Sequence, residues 1–297
     1  MGDILSTAKH ADLIYDVGLH RGEDTDFYLR KGFRVVAFDA NPELVRLCQE
    51  RFRTHVESGQ LTIVEGAIVD IDKTACTNGK VAFFKNKSGT SWGTTQDSWA
   101  ERNQAMGTEI ERLEVDVVDF AAVLRKHGIP RYLKIDIEGC DLVCLNALRN
   151  FSVKPDFVSF ESDKVTLRAV REEIRILQEL GYNQFQAVEQ FGIPDVQTPP
   201  NPPREGGFAP QKFERGSSGL FGNELNPAHW KSSGGVLRLY RFIHIGYRLL
   251  GDFGIMYGWQ FRGASRLRKV ARACLKRMTH AEVPGWYDTH ARHISAR

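Results

Sequence analysis

The fold class follows from one short stretch, Asp12-Leu-Ile-Tyr-Asp16-Val-Gly18-Leu-His20-Arg-Gly22, which continues through a helical pattern to Arg34-Val-Val-Ala-Phe-Asp39. An apolar run, a glycine turn, a helix, a second apolar run and a final acid are typical of the first unit of a nucleotide-binding α/β sheet. A dinucleotide fingerprint uses three glycines to approach a pyrophosphate, but this turn keeps only two and places Asp16 at the strand end. The stretch therefore favours a cationic ligand with a ribose diol, such as S-adenosylmethionine.

Apolar runs rich in β-branched residues recur along the chain, and helical patterns lie between most of them. This alternation predicts an α/β fold with a mostly parallel, Rossmann-like sheet flanked by helices. Asn41-Pro42-Glu43 supplies an N-cap and a first-turn proline, so a helix should begin right after Asp39. The predicted strands are 12–17, 34–38, 61–68, 81–84, 132–137 and 156–160, and the predicted helices are 42–54, 117–127, 141–150 and 166–180.

The composition bounds the class of protein. With 297 residues and 42% hydrophobic residues, the chain can form one large α/β domain with an appendage, or two small domains. Its five cysteines are odd in number and form no Cys-x-x-Cys pair, which indicates reduced core residues. We find no signal-peptide pattern and no run of eighteen apolar residues, so we expect a cytoplasmic protein.

Four stretches share their residues and order with one known family. They are Asp16-Val-Gly18 with Gly22 and Thr25, Val36-Ala-Phe-Asp39-Ala-Asn-Pro42, Leu133-Lys-Ile-Asp136-Ile-Glu-Gly139 and Val158-Ser-Phe-Glu161. Over about residues 12–190 the chain resembles the FkbM family of S-adenosylmethionine-dependent methyltransferases. The resemblance implies a class I methyltransferase fold, S-adenosyl-L-methionine as cofactor, and O-methylation of a sugar or natural-product hydroxyl on a small molecule or glycan.

The expected cofactor site lies outside the carboxyl ends of the strands, where open α/β sheets bind their ligands. Gly18 and Gly22 would let the turn pass under the methionine part, and Asp39 would hold the ribose diol. Asp16 and Asp136 would supply negative potential, although a strand-end aspartate is often only a helix N-cap. The full predicted cofactor set is Asp16, Gly18, His20, Gly22, Thr25, Asp39, Ala40, Gly66, Ala67, Ile68 and Asp136, with Ala67 and Ile68 beside the adenine.

This chain departs from the family at Leu19-His20, where Ala-Asn usually follows the first glycine. Three roles for His20 stay open. It could donate to the cofactor carboxylate, approach the substrate as a base, or cap the following helix.

Methyl transfer to an alcohol needs the hydroxyl held close to the methyl group and its proton removed. Glu161 is the first choice of base because it follows the apolar run 157–160, where burial could raise its pKa. The alternative is a structural acid bonded to a neighbouring helix. The predicted catalytic set is Glu161, Glu138 and His20, with Asp163 and His290 as further candidate bases. A divalent metal is not favoured, but its oxygen ligands would be Asp136, Glu161 and Asp163.

Two further segments are candidates for substrate contact. The small-residue loop 88–95 contains Trp92 and Thr94 and could close over a ligand, or could be an ordinary hairpin turn. Tyr287 and His290 belong to a closing stretch that could fold back as a lid or simply pack as a C-terminus.

The last part of the chain differs in charge. Residues 231–297 carry 13 Lys/Arg against 3 Asp/Glu, whereas residues 1–230 carry 27 against 34. The basic amphipathic helices predicted there could present a solvated face, bind an acidic substrate, or contact a membrane surface or, least favoured, nucleic acid. The predicted parts are a methyltransferase domain over 1–192, a Pro/Gly-rich surface linker over 193–234 and a basic helical tail or lid over 235–297.

Two rival functions remain from the sequence. Asp39 would also suit a nicotinamide-dependent oxidoreductase, but the missing glycine counts against it. A catalytically inactive scaffold acting through the basic tail is the other alternative, and the strand-end acids count against that. The sequence leaves a homo-oligomer open.

Overall fold

The computed structural model describes residues 7–86, 110–137, 139–162, 166–251, 254–256, 258, 263–279 and 285–296. The strands are β1 Lys9–Val17, β2 Arg34–Asp39, β3 Leu61–Glu65, β4 Lys80–Asn86, β5 Ile110–Asp116, β6 Ile129–Ile135, β7 Phe157–Glu161, β8 Tyr182–Glu189 and β9 Tyr287–His293. Seven of these described strands form one sheet in the order β3-β2-β1-β6-β7-β9-β8, and β4 pairs with β5 in a separate antiparallel hairpin.

The sheet is parallel from β3 to β7, which confirms the predicted α/β class. Strand β9 is antiparallel and lies between β7 and β8. The apolar patterns located β1, β2, β3, β4, β6 and β7 but missed β5, β8 and β9. The missed β9 contains Asp288, Thr289 and His290, which are all buried, so a hydrophobicity pattern gives no signal for it.

The helices are α1 Glu23–Arg30, α2 Pro42–Arg51, α3 Arg53–Glu57, α4 Phe120–His127, α5 Asp141–Ala147, α6 Leu167–Glu179, α7 Ile193–Val196, α8 Ser233–Leu250 and α9 Ala264–Thr279. Helix α2 starts as predicted, because the Asn41 side chain accepts a 3.0 Å hydrogen bond from the Glu43 N–H. Asp119 caps α4 in the same way at the Ala122 N–H.

One face of the sheet is covered by α4, α5, α6 and α8, whose apolar residues share a core with β1, β6 and β7. The other face is covered by α1, α2 and the extended chain that follows α7. In that chain Phe221 stacks on Tyr132 at 4.8 Å and meets Tyr28 edge-on at 5.1 Å. The prediction of a surface linker over 193–234 is therefore wrong. The buried aromatic residues of this segment pack on that face of the sheet.

The last described helix, α9, ends at Thr279. Helix α8 packs on α6 and β8, and α9 packs on α8. The prediction of a helical tail or lid is wrong for Tyr287–His293, which form a strand inside the sheet. A strand there gives β8 a hydrogen-bonded neighbour and so joins it to the parallel strands.

No helix in the described part of the chain is both long and apolar enough to cross a bilayer. Cys48, Cys140 and Cys144 are buried, as expected of core residues, whereas Cys76 and Cys274 are exposed.

Candidate functional site

The turn after β1 passes between the ends of β2 and β6. Gly18 has φ +98°, and a Cβ atom there would lie 2.1 Å from the carbonyl oxygen of Asp136. The N–H groups of Gly18 and Leu19 both donate to the carbonyl of Phe38. Only glycine fits at this position, because the backbone is left-handed and the next strand lies against it.

Asp39 ends β2 beside this turn. One carboxylate oxygen accepts from the His20 N–H and the other from the Asn41 N–H, each at 2.8 Å. Burial raises the pKa of Asp39 to about 6, although the two N–H groups act in the opposite direction. Each oxygen still has a second lone pair, so Asp39 can accept hydrogen bonds from a diol.

Lys134, on β6, is a buried lysine that we did not predict. Its Nζ donates to Asp16 at 3.0 Å and to the Gly18 carbonyl at 3.1 Å. The same Nζ lies 3.2 Å from Asp24 and 3.7 Å from Asp136. Burial alone would lower the pKa of Lys134, but these carboxylates hold it well above its usual range. The sequence signal for it was a lysine between the apolar residues Leu133 and Ile135 of a predicted strand.

Asp16 and Thr25 lie below the sheet edge, and both are fully buried. The Thr25 hydroxyl donates to Asp16 at 2.6 Å, while the other Asp16 oxygen accepts from Lys134. The structure thus places these two predicted cofactor residues where they support Lys134. Asp24 joins the same group, and its carboxylate accepts from the Ser218 N–H at 2.9 Å.

Four more carboxylates gather at the carboxyl edge. Asp136 follows β6 and Asp141 begins α5, while Glu161 ends β7 directly opposite Asp288 of β9. Burial, together with the charges of Asp136 and Glu161, raises the pKa of Asp141 and Asp288 well above the usual range. Sequence reasoning missed Asp141 and Asp288. Negative charge exceeds positive charge at this edge, so a bound cation would be stabilised there.

The predicted adenine wall follows β3. Gly66 has φ +135°, and a Cβ there would lie 2.6 Å from the Asp116 carbonyl oxygen. Ala67 is buried in a small apolar cluster with Cys140, against which Ala40 packs, whereas Ile68 belongs to the main core. Ala67 and Ala40 therefore provide small apolar groups here, in a cluster that also contains Val81 and Phe83.

Gly22 and His20 have local contacts around the start of α1. A Cβ on Gly22 would lie 2.4 Å from the Phe52 ring, so this glycine allows helix packing. The His20 ring Nδ1 lies 3.1 Å from Glu23, in the first turn of α1. Of its three predicted roles, the contact with the helix start is the one that this geometry favours.

The substrate and metal predictions have different outcomes. Trp92, Thr94, Glu138 and Asp163 lie outside the described residues. Tyr287 and His290 lie in β9, with 4% and 1% of their surfaces exposed, and so form part of the sheet. Burial lowers the pKa of His290 to about 3. Within the described ranges no group of three or more His, Cys, Asp or Glu residues is arranged to hold a metal ion.

His244, on α8, is a further histidine that the sequence analysis did not single out. Its Nδ1 lies 2.8 Å from the carbonyl oxygen of Tyr240, which can only accept, so Nδ1 carries the proton. Its Nε2 is buried and has no hydrogen-bond partner among the described residues. The Tyr240 hydroxyl bonds Ser162 at 2.9 Å and Thr289 at 2.6 Å, the residues that follow Glu161 and Asp288.

The family model described as the methyltransferase FkbM domain matches residues 16–184, more than half of the chain. The chain belongs to the FkbM methyltransferase family. The match includes Asp39, Lys134 and Glu161, whereas Asp288 and the helix with Tyr240 lie beyond the FkbM domain. No curated protein matches the sequence.

Solved structures with a similar chain path are distant. A SAM-dependent methyltransferase from Archaeoglobus fulgidus is 10% identical, with 95% of this chain and 86% of that chain covered and a TM-score of 0.37. A putative sarcosine dimethylglycine methyltransferase from Galdieria sulphuraria is 9% identical, with 96% and 79% covered and a TM-score of 0.34. Precorrin 8W decarboxylase from Methanobacterium thermoautotrophicum is 16% identical, with 62% and 70% covered and a TM-score of 0.34. These similarities are too low to bear on function.

Proposed function

We propose that this FkbM-family chain is an S-adenosylmethionine-dependent O-methyltransferase acting on a hydroxyl group of a small molecule or glycan. The observation that carries the proposal is the excess of carboxylates at the carboxyl edge, next to the glycine turn and Asp39. Asp136, Glu161 and Asp288 crowd this edge, and the neighbouring Lys134 is already held by Asp16.

The donor set fits S-adenosylmethionine, which carries an ammonium and a sulfonium but no phosphate. Burial, and after it repulsion by Asp136 and Glu161, raises the pKa of Asp288, and the positive charge of the cofactor would offset that repulsion. A dinucleotide would bring a pyrophosphate to the same carboxylates, which would repel it. This difference favours the methyltransferase over the nicotinamide-dependent oxidoreductase.

We assign the following roles to residues of the candidate site. Asp39 would accept hydrogen bonds from the ribose diol, and the small groups at Ala40 and Ala67 would face the adenine. The Gly18 turn would allow close approach of the methionine part. When bound, the cofactor supplies an electrophilic methyl group. Glu161 would accept the proton of the acceptor hydroxyl, and the hydroxyl oxygen would attack that methyl group.

Cofactor binding is tested by calorimetry with S-adenosylhomocysteine. We expect Asp39→Ala to weaken binding by about 1–3 kcal/mol, because the charge-assisted hydrogen bonds to the ribose are lost. Asp12→Ala removes an acid at the opposite end of β1, where it pairs with Arg34, and should bind like the wild type. Equal affinity of all three proteins would remove Asp39 from the site, and binding of NAD alone would favour the oxidoreductase.

The role of Glu161 is tested by release of S-adenosylhomocysteine with a panel of hydroxylated acceptors, sugars included. We expect Glu161→Gln to lower kcat roughly a hundredfold while cofactor affinity stays near wild type. Glu57→Gln changes an exposed glutamate at the end of α3, before the amino end of β3, and should leave kcat unchanged. Wild-type turnover by Glu161→Gln would contradict the assignment, and a turnover that needs added Mg²⁺ would favour a metal-assisted reaction.

A further inference from the structure

The outer surfaces of α8 and α9 have no part in the proposed methyl transfer. Each exposes large apolar side chains to solvent: Phe242 is 40% and Ile245 49% exposed on α8, and Leu267 is 49% and Val270 56% exposed on α9. We call these four residues, with the arginine and lysine side chains around them, the basic apolar surface. Within each helix the two residues are three positions apart and so lie side by side on its surface, and an exposed apolar patch rimmed by polar residues marks a contact site.

Helix α9 packs against the protein through a side that does not include Leu267 and Val270. Its buried Ala264 and half-exposed Ala271 and Leu275 recur at helical spacing along one side of the helix. At about 100° per residue, Leu267 and Val270 project from a different side, which is solvent-exposed. The helix therefore presents an apolar stripe that no described part of the chain covers.

The charged side chains of α8 and α9 are all basic. Together the two helices contain nine Lys or Arg and no Asp or Glu. On α8, Arg238, Arg241 and Arg248 share the exposed face with Phe242 and Ile245, since these positions are three, four, seven and ten residues from the first. Arginine and apolar side chains thus alternate on one face instead of being separated.

We propose that the basic apolar surface docks the protein on an anionic lipid surface. The anionic headgroups attract the basic side chains, and the apolar side chains are buried at the boundary of the acyl chains. An anionic lipid surface therefore accounts for both the charge and the exposed apolar residues. A nucleic acid would neutralise the charge but leave Leu267 and Val270 in water. A second copy of the same surface would repel the first. The inference does not depend on the proposed methyl transfer.

The test is co-sedimentation of the full chain with phosphatidylcholine vesicles that contain or lack phosphatidylglycerol. We expect binding only when phosphatidylglycerol is present. Arg266→Ala with Arg277→Ala removes the two exposed arginines that flank Leu267 and Val270 around the helix. It should weaken binding roughly thirtyfold, since each basic side chain near an anionic surface contributes about fivefold. Leu267→Ser with Val270→Ser should weaken it about tenfold or more through lost apolar burial.

Matched pairs elsewhere on the chain serve as controls. Arg53→Ala with Lys126→Ala removes two exposed basic residues, and Ile71→Ser with Val196→Ser removes two exposed apolar residues. Both pairs should bind like the wild type, and urea unfolding should show that all four variants are folded. The proposal would be overturned by equal losses in the test and control pairs, or by a lack of binding to either vesicle. It would also be overturned if the protein preferred a DNA or RNA oligonucleotide, or if it formed a dimer that Leu267→Ser with Val270→Ser dissociates.

Discussion

Gly18 is the residue at which backbone conformation and packing coincide. Its φ of +98° disfavours any side chain, and its Cα approaches the Asp136 backbone too closely for a methyl group. Gly32 has a similar φ of +87°, but a Cβ there would meet no atom within 4 Å. Comparing substitutions at the two glycines therefore distinguishes the cost of the left-handed backbone from the cost of the close contact with Asp136.

We expect Gly32→Ala to lower the free energy of unfolding by about 1–2 kcal/mol, the cost of a left-handed backbone. Gly18→Ala should lower it by more than about 3 kcal/mol, because the ends of β1 and β6 must also move apart. Urea denaturation measures both. Equal losses in the two variants would show that the turn can shift away from Asp136 without cost.

Protonation of the buried His290 makes the stability of the folded chain depend on pH. Its pKa is about 3 in the folded chain, well below the ordinary histidine value of 6.5, because burial disfavours the imidazolium. The folded state thus binds this proton less tightly than the unfolded chain does. The resulting stability is fully present above about pH 6.5 and is lost as the pH falls from 6.5 toward 3.

We expect this loss to be about 1.4 kcal/mol per pH unit in the wild type, and His290→Gln should lack that component. The comparison is the difference in unfolding free energy between the two proteins, measured in urea from neutral pH down to about pH 5. His229→Gln replaces an exposed histidine and should follow the wild type. A constant difference between wild type and His290→Gln across this range would contradict the expectation.

Strand β9 is the element that completes the sheet. It pairs along its length with β7 on one side and β8 on the other. It also places Asp288 opposite Glu161 and Thr289 within reach of the Tyr240 hydroxyl. The C-terminal residues are thus a structural part of the candidate site, although the FkbM match ends at residue 184.

Truncation after Gly234 removes β9 together with most of α8 and all of α9. Because β9 lies between β7 and β8, we expect this shorter chain to show no cooperative unfolding transition and no binding of S-adenosylhomocysteine. A chain ending at Ser295 keeps β9 and should unfold cooperatively. Circular dichroism in urea distinguishes them, and a cooperative transition in the shorter chain would show that β9 is dispensable.

At the scale of the whole molecule, opposite charges are segregated. The carboxyl edge gathers acids at the ends of β6 and β7 and from β9, whereas all the charged side chains of α8 and α9 are basic. Interior polar groups also link distant segments. Lys31 and Glu224 form a fully buried ion pair at 2.6 Å, and Asp24 binds the Ser218 backbone. These bonds hold the extended chain after α7 against α1.

The sequence by itself determined the first β-turn-α-β unit, the parallel sheet and Asp39 at a strand end, because apolar periodicity, glycine turns and helix caps act between near neighbours in the chain. Only the tertiary structure decided that Lys134 holds Asp16, that Phe221 covers the sheet and that β9 enters beside β7. Each of these depends on residues more than eighty positions apart, and a polar residue buried by such a partner looks like a surface residue in the sequence.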